Sequence, residues 1–513
     1  MKTIVEMNSQ YATRQKNGGQ AVLWFLALIA SISMVFVGVY SIGQLTSEKQ
    51  KITNATDAAA YSGALVQARA LNMMAYGNRM QIANEVLVAQ ALSIQAWAEY
   101  NHESVDNAKT VMDILAKIPY VNFVAAPLAA ILGVMEGALE AFASAVNPVV
   151  DGVIFGEERV FDLFNIAGIA VFTPGAMQLA ANEAAKSVLA ENYDTQAGST
   201  DRAPVSIRDI PLGALNAYGW DRAFAKYTKT KTVAGSSDGR IAARDILLAS
   251  RDEFSAGRKG PSGFLSYFFG TNSLGNCVTG SIGSSRDGSS ELKDYERWEM
   301  QDTSRFEYEL PGQCKGKPNS IPFGWGRATA ADQETKGDSK TNPHDFEGLR
   351  AYSNTKTHSG WSGVKALFDV ERDTTNGRPD QDYFEDGNSQ LIFHFAAKKP
   401  PAQVRTNAAL GFLDQDSTNT VMGNPRLKTQ ALKDGGDEQL TAIAAAQVFF
   451  ARPQKNSLDF TGIPLQRGEN ENHKEVASLY SPYWQVRLTT PSNAAMIAVY
   501  ATESSKIPFS QSR

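Results

Sequence analysis

One long apolar segment near the N-terminus dominates the hydrophobic pattern of the chain. Residues 21–43 include no charged side chain. A helix of this length measures about 35 Å, enough to cross a hydrocarbon core of ~30 Å. Arg14 and Lys16 precede the segment, and positive flanks are typical of the cytoplasmic side. We therefore predict a transmembrane helix within residues 20–45 and a cytoplasmic segment over residues 1–19. A cleaved signal peptide and a buried core helix are the alternatives.

A stretch with few charges follows the apolar segment. No proline precedes Pro119, and Arg69, Arg79 and Glu85 are the only charged residues between 58 and 98. Apolar and small residues recur there at the heptad spacing of a helix that packs along one stripe. We expect the membrane helix to continue into a helical stem. The predicted packing seam consists of Ile52, Ala55, Ala59, Val66, Met73, Tyr76, Met80, Ala83, Leu87, Ile94 and Trp97.

Alanine-rich apolar patterns predict three further helices after the stem. They cover residues 121–145, 157–172 and 174–191. Residues 46–195 are thus predicted to form a helical stem and bundle. The uncharged stretch 119–135 leaves a second membrane span open as an alternative.

The pattern changes beyond residue 196, where polar, turn-rich stretches separate short apolar runs. Apolar and polar residues alternate from Trp298 to Leu310, which predicts a half-buried strand. The turn-rich stretch 271–290 is predicted to be a loop. Residues 196–513 are thus predicted to be a β-rich extracytoplasmic domain, and the fold class of the chain is α+β. Further strands are predicted at 391–396, 447–451, 484–488 and 495–500.

Composition and charge exclude several classes of protein. Hydrophobic residues make up 43% of the 513 positions and charged residues 20%, which is unlike a disordered chain. The 49 Lys and Arg residues are outnumbered by 54 Asp and Glu, so the net charge is −5. A protein without a net positive field is a poor nucleic-acid binder, and we predict no nucleic-acid partner.

Two cysteines are too few for a disulfide-dense scaffold or a four-cysteine zinc site. In an oxidising exported compartment Cys277 and Cys314 are predicted to form one disulfide, and two separate buried thiols are the alternative. An acidic stretch at 373–386 is the best calcium candidate, although a solvated loop is the favoured interpretation. Its carboxylates are Asp373, Asp380, Asp382, Glu385 and Asp386.

Familiar catalytic motifs are absent from the sequence. His102 and Glu103 lack the second histidine of a zinc-protease helix, and neither a nucleophile elbow nor a phosphate-binding loop occurs. We predict no catalytic residue, no metal and no cofactor, and therefore a protein that is not an enzyme. A membrane-anchored envelope enzyme, with a polar pocket in the β-rich domain, is the less favoured alternative.

Both ends of the chain carry a recognisable pattern. The N-terminal one is the apolar span followed by Asn-Ala-Thr-Asp-Ala-Ala-Ala at residues 54–60. The C-terminal one is Ala-Gln-Val-Phe-Phe-Ala-Arg-Pro at 446–453 together with Ala-Ser-Leu-Tyr-Ser-Pro-Tyr-Trp-Gln-Val-Arg-Leu at 477–488. With these two patterns the chain resembles the TadG-like proteins of Tad/Flp pilus assembly. The resemblance implies a structural component of a pilus or secretion apparatus that anchors, initiates or caps a filament. Trp24 stands where pilins carry a glutamate after a Gly-Gly cleavage site, and the metal motif of von Willebrand A domains is absent.

The resemblance also implies where the protein acts and what it contacts. It predicts a single-pass protein of the bacterial inner membrane with a periplasmic or cell-surface body. Its implied partners are the membrane and other pilus or secretion proteins, with self-association through the helical stem as a further expectation. A minor pilin-like subunit, packed in the filament through the seam, is the alternative function.

Overall fold

The computed structural model confirms an α+β fold in which a very long helix carries three sheets. The residues that the structure describes are 18–193, 204–206, 210–232, 236–258, 281–309, 319–333, 355–371, 384, 389–399, 440–451 and 477–504. The predicted disulfide and the predicted acidic loop fall outside them, because Cys277 and Cys314 and all five carboxylates of 373–386 are not among the described residues.

Helix α1, Gly18–Leu115, is one uninterrupted helix of 98 residues. It contains both the apolar segment and the predicted stem. Two glycines within it admit aromatic rings from other elements. A Cβ on Gly63 would lie 2.3 Å from the ring of Phe393, and one on Gly77 would lie 1.8 Å from the ring of Phe164. These glycines therefore serve close packing and do not end the helix.

Helix α2, Asn122–Phe172, returns antiparallel along α1. The prediction of separate helices at 121–145 and 157–172 was wrong, because the intervening residues continue the same helix with Pro148 inside it. A proline removes one helical hydrogen bond, and the long packed contact with α1 compensates for that loss. Helix α3, Pro174–Glu191, starts with proline in its first turn as predicted.

In the part of the chain that the structure describes, ten strands form three sheets. The first sheet has the antiparallel order β1-β8-β9-β10, the second has the order β3-β4-β5-β6 with β5 and β6 parallel, and the third pairs β2 with β7. The bounds of the strands are β1 Val205–Ser206, β2 Phe224–Lys226, β3 Ser281–Lys293, β4 Arg297–Glu309, β5 Asn319–Ala331, β6 Lys356–His358, β7 Phe368–Val370, β8 Ile392–Lys399, β9 Leu440–Phe450 and β10 Trp484–Thr489.

Four shorter helices lie among the described strands and residues, and two of our predictions fail in this part of the chain. The stretch 495–500, predicted as a strand, lies in a helix, where alanines are strong helix formers and the Ser492 hydroxyl accepts from the amide of Ala495. The stretch 281–290, predicted as a loop, is part of β3 and pairs along its length with β4. The helices are α4 Ile210–Ala223, α5 Ile241–Ala249, α6 Glu253–Ala256 and α7 Asn493–Ser504.

Among the described residues, two large apolar cores follow one another along α1. The first packs Ala55 to Met74 of α1 against the sheet that contains β8, β9 and β10. The second packs Ile82 to Ala96 against α2 and the sheet that contains β4 and β5. Both cores draw residues from either side of the predicted domain boundary at 195/196. The stem is thus the common support for the whole body.

Candidate functional site

The apolar segment at the start of α1 has no cover from the described part of the chain. Trp24 is 77% exposed, Phe25 63% and Phe36 71%, and none of the most apolar window of this helix is buried. Large apolar side chains on all sides of a helix are typical of a lipid-facing segment. Among the described helices two, α1 and α2, are long and apolar enough to cross a membrane.

A buried ion pair lies just beyond this segment. Lys399 in β8 is fully buried and its Nζ lies 2.9 Å from the Glu48 carboxylate of α1. The Tyr193 ring lies 5.0 Å from the same ammonium group and 4.4 Å from that of Lys51. The first sheet is therefore fastened to the helix five residues after the apolar segment ends at Gly43.

Side-chain amides of α1 hold the C-terminal part of the body. The amide of Asn72 donates to the carbonyl of Trp484 and accepts from its backbone N–H, each at 3.0 Å. Asn78 donates to the carbonyls of Phe368 and Leu479, at 2.9 and 2.8 Å. Arg79 donates to the carbonyl of Tyr480. Each contact joins residues about 290–410 positions apart, so spacing in the sequence gave no sign of them.

The two sequence regions that carry the resemblance meet in the first core. Ala55, Ala59, Ala60 and Ala64 of α1 pack in one cluster with residues of β9 and β10. The small side chains let the sheet approach the helix closely. From β9, β10 and the segment before β10, this cluster includes Ala446, Val448, Leu479 and Trp484.

The predicted packing seam divides into a covered and an exposed part. Ile52, Ala55 and Ala59 are buried within the chain, and Val66 and Trp97 are half-buried. The remaining six residues form one exposed line on α1, which we call the stem stripe: Met73, Tyr76, Met80, Ala83, Leu87 and Ile94. Whether the seam packs against another helix stays a prediction, because a second chain would be needed to cover it.

The stem stripe lies on a face of α1 that neither α2 nor the described part of the body covers. Gly77 and Gln95 face α2, through the Phe164 ring and the carbonyl of Ala143. Asn78 and Ser93 face the body. Beyond Ile94 the seam continues to Trp97, which makes an edge-to-face contact with Phe142 of α2, with ring centroids 6.4 Å apart.

A second apolar line on α2 borders the stem stripe. Phe142, Val149 and Leu163 are spaced by multiples of seven residues and are 42%, 60% and 71% exposed. Multiples of seven keep side chains on one helix face, and the contact of Phe142 with Trp97 places that face beside the stripe. The two lines therefore lie side by side where Phe142 contacts Trp97.

A buried cluster of three carboxylates and one ammonium group joins the helices to the body on the opposite side. The Nζ of Lys365 lies 3.2 Å from Glu157 and also contacts Glu158. The indole of Trp361 donates to Glu85 at 3.0 Å. With three acids around one base, the cluster has an excess of negative charge that burial makes costly.

Burial and mutual repulsion shift the protonation of this cluster. Burial raises the pKa of Glu157 to about 7, against the lowering effect of Lys365. Burial and the nearby Glu157 also raise the pKa of Glu85 well above its ordinary value. Burial alone lowers the pKa of Lys365, but Glu85 and Glu157 outweigh it and the net direction is upward. The cluster therefore retains a carboxyl proton at pH values where an exposed glutamate has lost it.

Two of the described histidines, His358 and His394, have structural partners. The Nδ1 of His358 lies 2.7 Å from an Asp151 carboxylate oxygen. Asn216 donates to the carbonyl of His394 and accepts from its backbone N–H. Burial lowers the pKa of His394 to about 4. Among the described residues, no group of three His, Cys, Asp or Glu side chains is arranged to hold a metal ion.

Comparison with known proteins agrees with the resemblance predicted from the N-terminal residues. Residues 19–68 match the family described as putative Flp pilus-assembly TadE/G-like. The matched part comprises the apolar segment and the membrane-proximal stem, and it ends before the stem stripe begins at Met73. Neither a curated protein nor a solved structure matches the chain.

Proposed function

We propose that this chain is a membrane-anchored, non-catalytic structural component of a Tad/Flp-type pilus or a related secretion apparatus, where it anchors, initiates or caps the filament. The observation that carries the proposal is the family match over residues 19–68. Those residues supply both the exposed apolar helix and part of the first core, on which the C-terminal strands rest. The family-like part thus joins the exposed apolar helix to the first core of the body.

The proposed location is the inner membrane, crossed once, with the N-terminus cytoplasmic and the body outside the cytoplasm. The basic residues Arg14 and Lys16 support this orientation. The Glu48–Lys399 pair supports a body that begins directly at the membrane surface. Limited proteolysis tests the topology: protease added to spheroplasts should degrade the body, and protection of the body there would overturn the orientation.

A minor pilin-like subunit is the second candidate. It is favoured by the continuity of α1, because one helix joins the apolar segment to the body without a break. Purified filaments distinguish the two functions. A subunit co-purifies with the filament along its length, whereas an anchor or cap stays with the membrane or at the filament end.

A deletion strain tests the function itself. Loss of the protein should reduce the number of assembled pili or release them from the cell, and the wild-type gene should restore them. A variant with Leu28→Arg and Val35→Arg keeps the body but places two charges in the apolar segment, each costing about 3 kcal/mol at the membrane centre. It should fail to restore piliation. Unchanged pili in the deletion strain would contradict the proposal.

A further inference from the structure

We propose that the stem stripe is the interface for a second copy of this chain, bound in parallel so that stripe meets stripe. This inference rests on the proposed membrane anchoring. It deepens the proposed function by naming the partner of one surface. It starts from the finding that a heptad line of apolar side chains lies on α1 and that no described part of the chain covers it.

The spacing of the stripe matches a helix–helix seam. Its members alternate three and four residues apart from Met73 to Leu87, and Ile94 continues the repeat after Gln90. The stripe is about 32 Å long at 1.5 Å rise per residue. Side chains at these positions insert between those of a facing helix in a coiled coil. Large members are well exposed: Tyr76 is 62% exposed and Met73 52%.

The exposed area is sufficient for a stable pair. Taking about 200 Å² for a large apolar or aromatic residue, the large side chains of the stripe and of its α2 border expose about 800 Å² in one copy. A standard specific interface buries about 800 Å² on each partner. An apolar surface of this size is more than a monomer commonly leaves to solvent.

Anchoring in one membrane favours a second copy over an unrelated helix. The stripe begins about 45 Å along α1 from Gly43, at 1.5 Å rise per residue. A second copy carries its own stripe at the same height and in the same direction, so the two lines meet in register without any adjustment. A symmetric pair needs a self-complementary surface, and an uncharged apolar line is complementary to itself.

Arg69 marks the membrane-proximal end of the stripe and makes the register testable. It is exposed and lies four residues before Met73 in the heptad series. In a parallel pair the two Arg69 side chains come close together, and like charges at that distance weaken the pair. A copy with Arg69→Glu should therefore bind the wild-type chain more tightly than it binds itself.

Photo-crosslinking of the full-length chain in native membranes tests the pairing. With p-benzoylphenylalanine in place of Tyr76, irradiation should give an adduct of twice the chain mass that contains two differently tagged copies. The same probe in place of Tyr218, which is 59% exposed on α4, is the matched control and should give none. An adduct with another protein, a cross-link within one chain, or no adduct at Tyr76 would overturn the proposal.

Two further variants distinguish pairing from folding. Leu87→Asp places a charge in the stripe and should lower the yield of the Tyr76 adduct at least fivefold. Leu179→Asp, at an exposed position of α3, should leave that yield unchanged.

The Arg69→Glu variant tests the register. A mixture of Arg69→Glu and wild-type copies should give at least twice the adduct that either copy gives alone, and equal yields would refute the parallel register. If the Tyr76 adduct forms but pili assemble normally without the protein, the proposed function is wrong and the pairing stands. If pili require the protein but no Tyr76 adduct forms, the pairing is wrong and the proposed function stands.

Discussion

The side-chain amide of Asn72 pairs with both backbone polar groups of Trp484, at 3.0 Å each way. It therefore bonds to Trp484 as a neighbouring strand would, at the first residue of β10. A helix cannot itself extend a sheet, because its backbone groups are already bonded within the helix. One asparagine thus provides a sheet-like contact between the stem and the strand 412 positions away.

Asn72→Ala tests how much this contact stabilises the body. Truncation leaves the N–H and the carbonyl of Trp484 without this partner, so we expect a loss of about 2 kcal/mol in the free energy of unfolding. Urea unfolding of the detergent-solubilised protein, followed by tryptophan fluorescence, measures it. Asn54→Ala changes an exposed asparagine of the same helix and should stay within about 0.5 kcal/mol. Equal effects of the two variants would contradict the assigned role.

Gly326→Ala tests the close approach of β5 to α1. A Cβ at this position would lie 2.3 Å from the carbonyl oxygen of Ala96 and 2.3 Å from the backbone nitrogen of Tyr100. Both are backbone atoms of a rigid helix, so the strand must move, and we expect a loss of about 3 kcal/mol. Gly137→Ala meets no atom within 4 Å on α2 and should instead stabilise by up to about 1 kcal/mol. Thermal unfolding of both variants measures the difference between them. A Gly326→Ala variant as stable as the wild type would refute the close approach of β5 to α1.

The buried carboxylate cluster predicts that stability falls as the pH rises. The pKa of Glu157 is raised from 4.5 to about 7 in the folded chain, so the folded state binds more protons than the unfolded state between these values. The favourable contribution is complete below pH 4.5 and is lost as the pH rises through 7. A shift of this size corresponds to about 3 kcal/mol.

Glu157→Gln removes this titration while keeping the shape of the side chain. The difference in unfolding free energy between the variant and the wild type should therefore grow in favour of the variant from pH 5 to pH 8. The same substitution at Glu140, an exposed residue of the same helix, serves as the control. A pH-independent difference between wild type and Glu157→Gln would show that the proton is held elsewhere.

The Glu48–Lys399 ion pair predicts that removal of one charge destabilises the protein much more than removal of both charges. Lys399→Met leaves the Glu48 carboxylate without its buried ammonium partner, and such a change costs about 3–5 kcal/mol. Glu48→Gln together with Lys399→Met removes both charges and should recover most of that loss. Lys398→Met alters the neighbouring, half-buried lysine and should change little. Chemical unfolding measures the stability of each variant. A double variant as unstable as Lys399→Met would contradict the pairing.

The pattern of hydrophobic and polar residues predicted those elements that the residues of a single segment determine. The alternation after Trp298 predicted β4, whereas the packing seam on α1 stays a prediction, with six of its eleven residues exposed in the described chain. The α-helical state of 495–500 was missed because a short apolar run has no distinct period. The strand β3 was missed because its serines and glycines are typical of turns, and only its pairing with β4 orders them as a strand.

The polar contacts that join stem and body could not be predicted from spacing. Glu85 and Lys365 come together only after α1, α2 and the segment before β7 have folded against one another. In the sequence Glu85 is one of three charges in a long apolar stretch, which signals burial but not its partner. Asn72 and Asn78 carry no signal at all, because an asparagine on a helix is usually an exposed surface residue.

The unbroken course of α1 has a mechanical consequence. In the membrane-anchored state that we propose, a pull on the body along the helix axis would pass to the membrane through this one continuous helix. The contacts of Glu48, Asn72, Asn78 and Arg79 lie side by side along that helix, so tension loads them together in shear and does not open them one after another. A body fastened in this way suits the anchoring role that we propose.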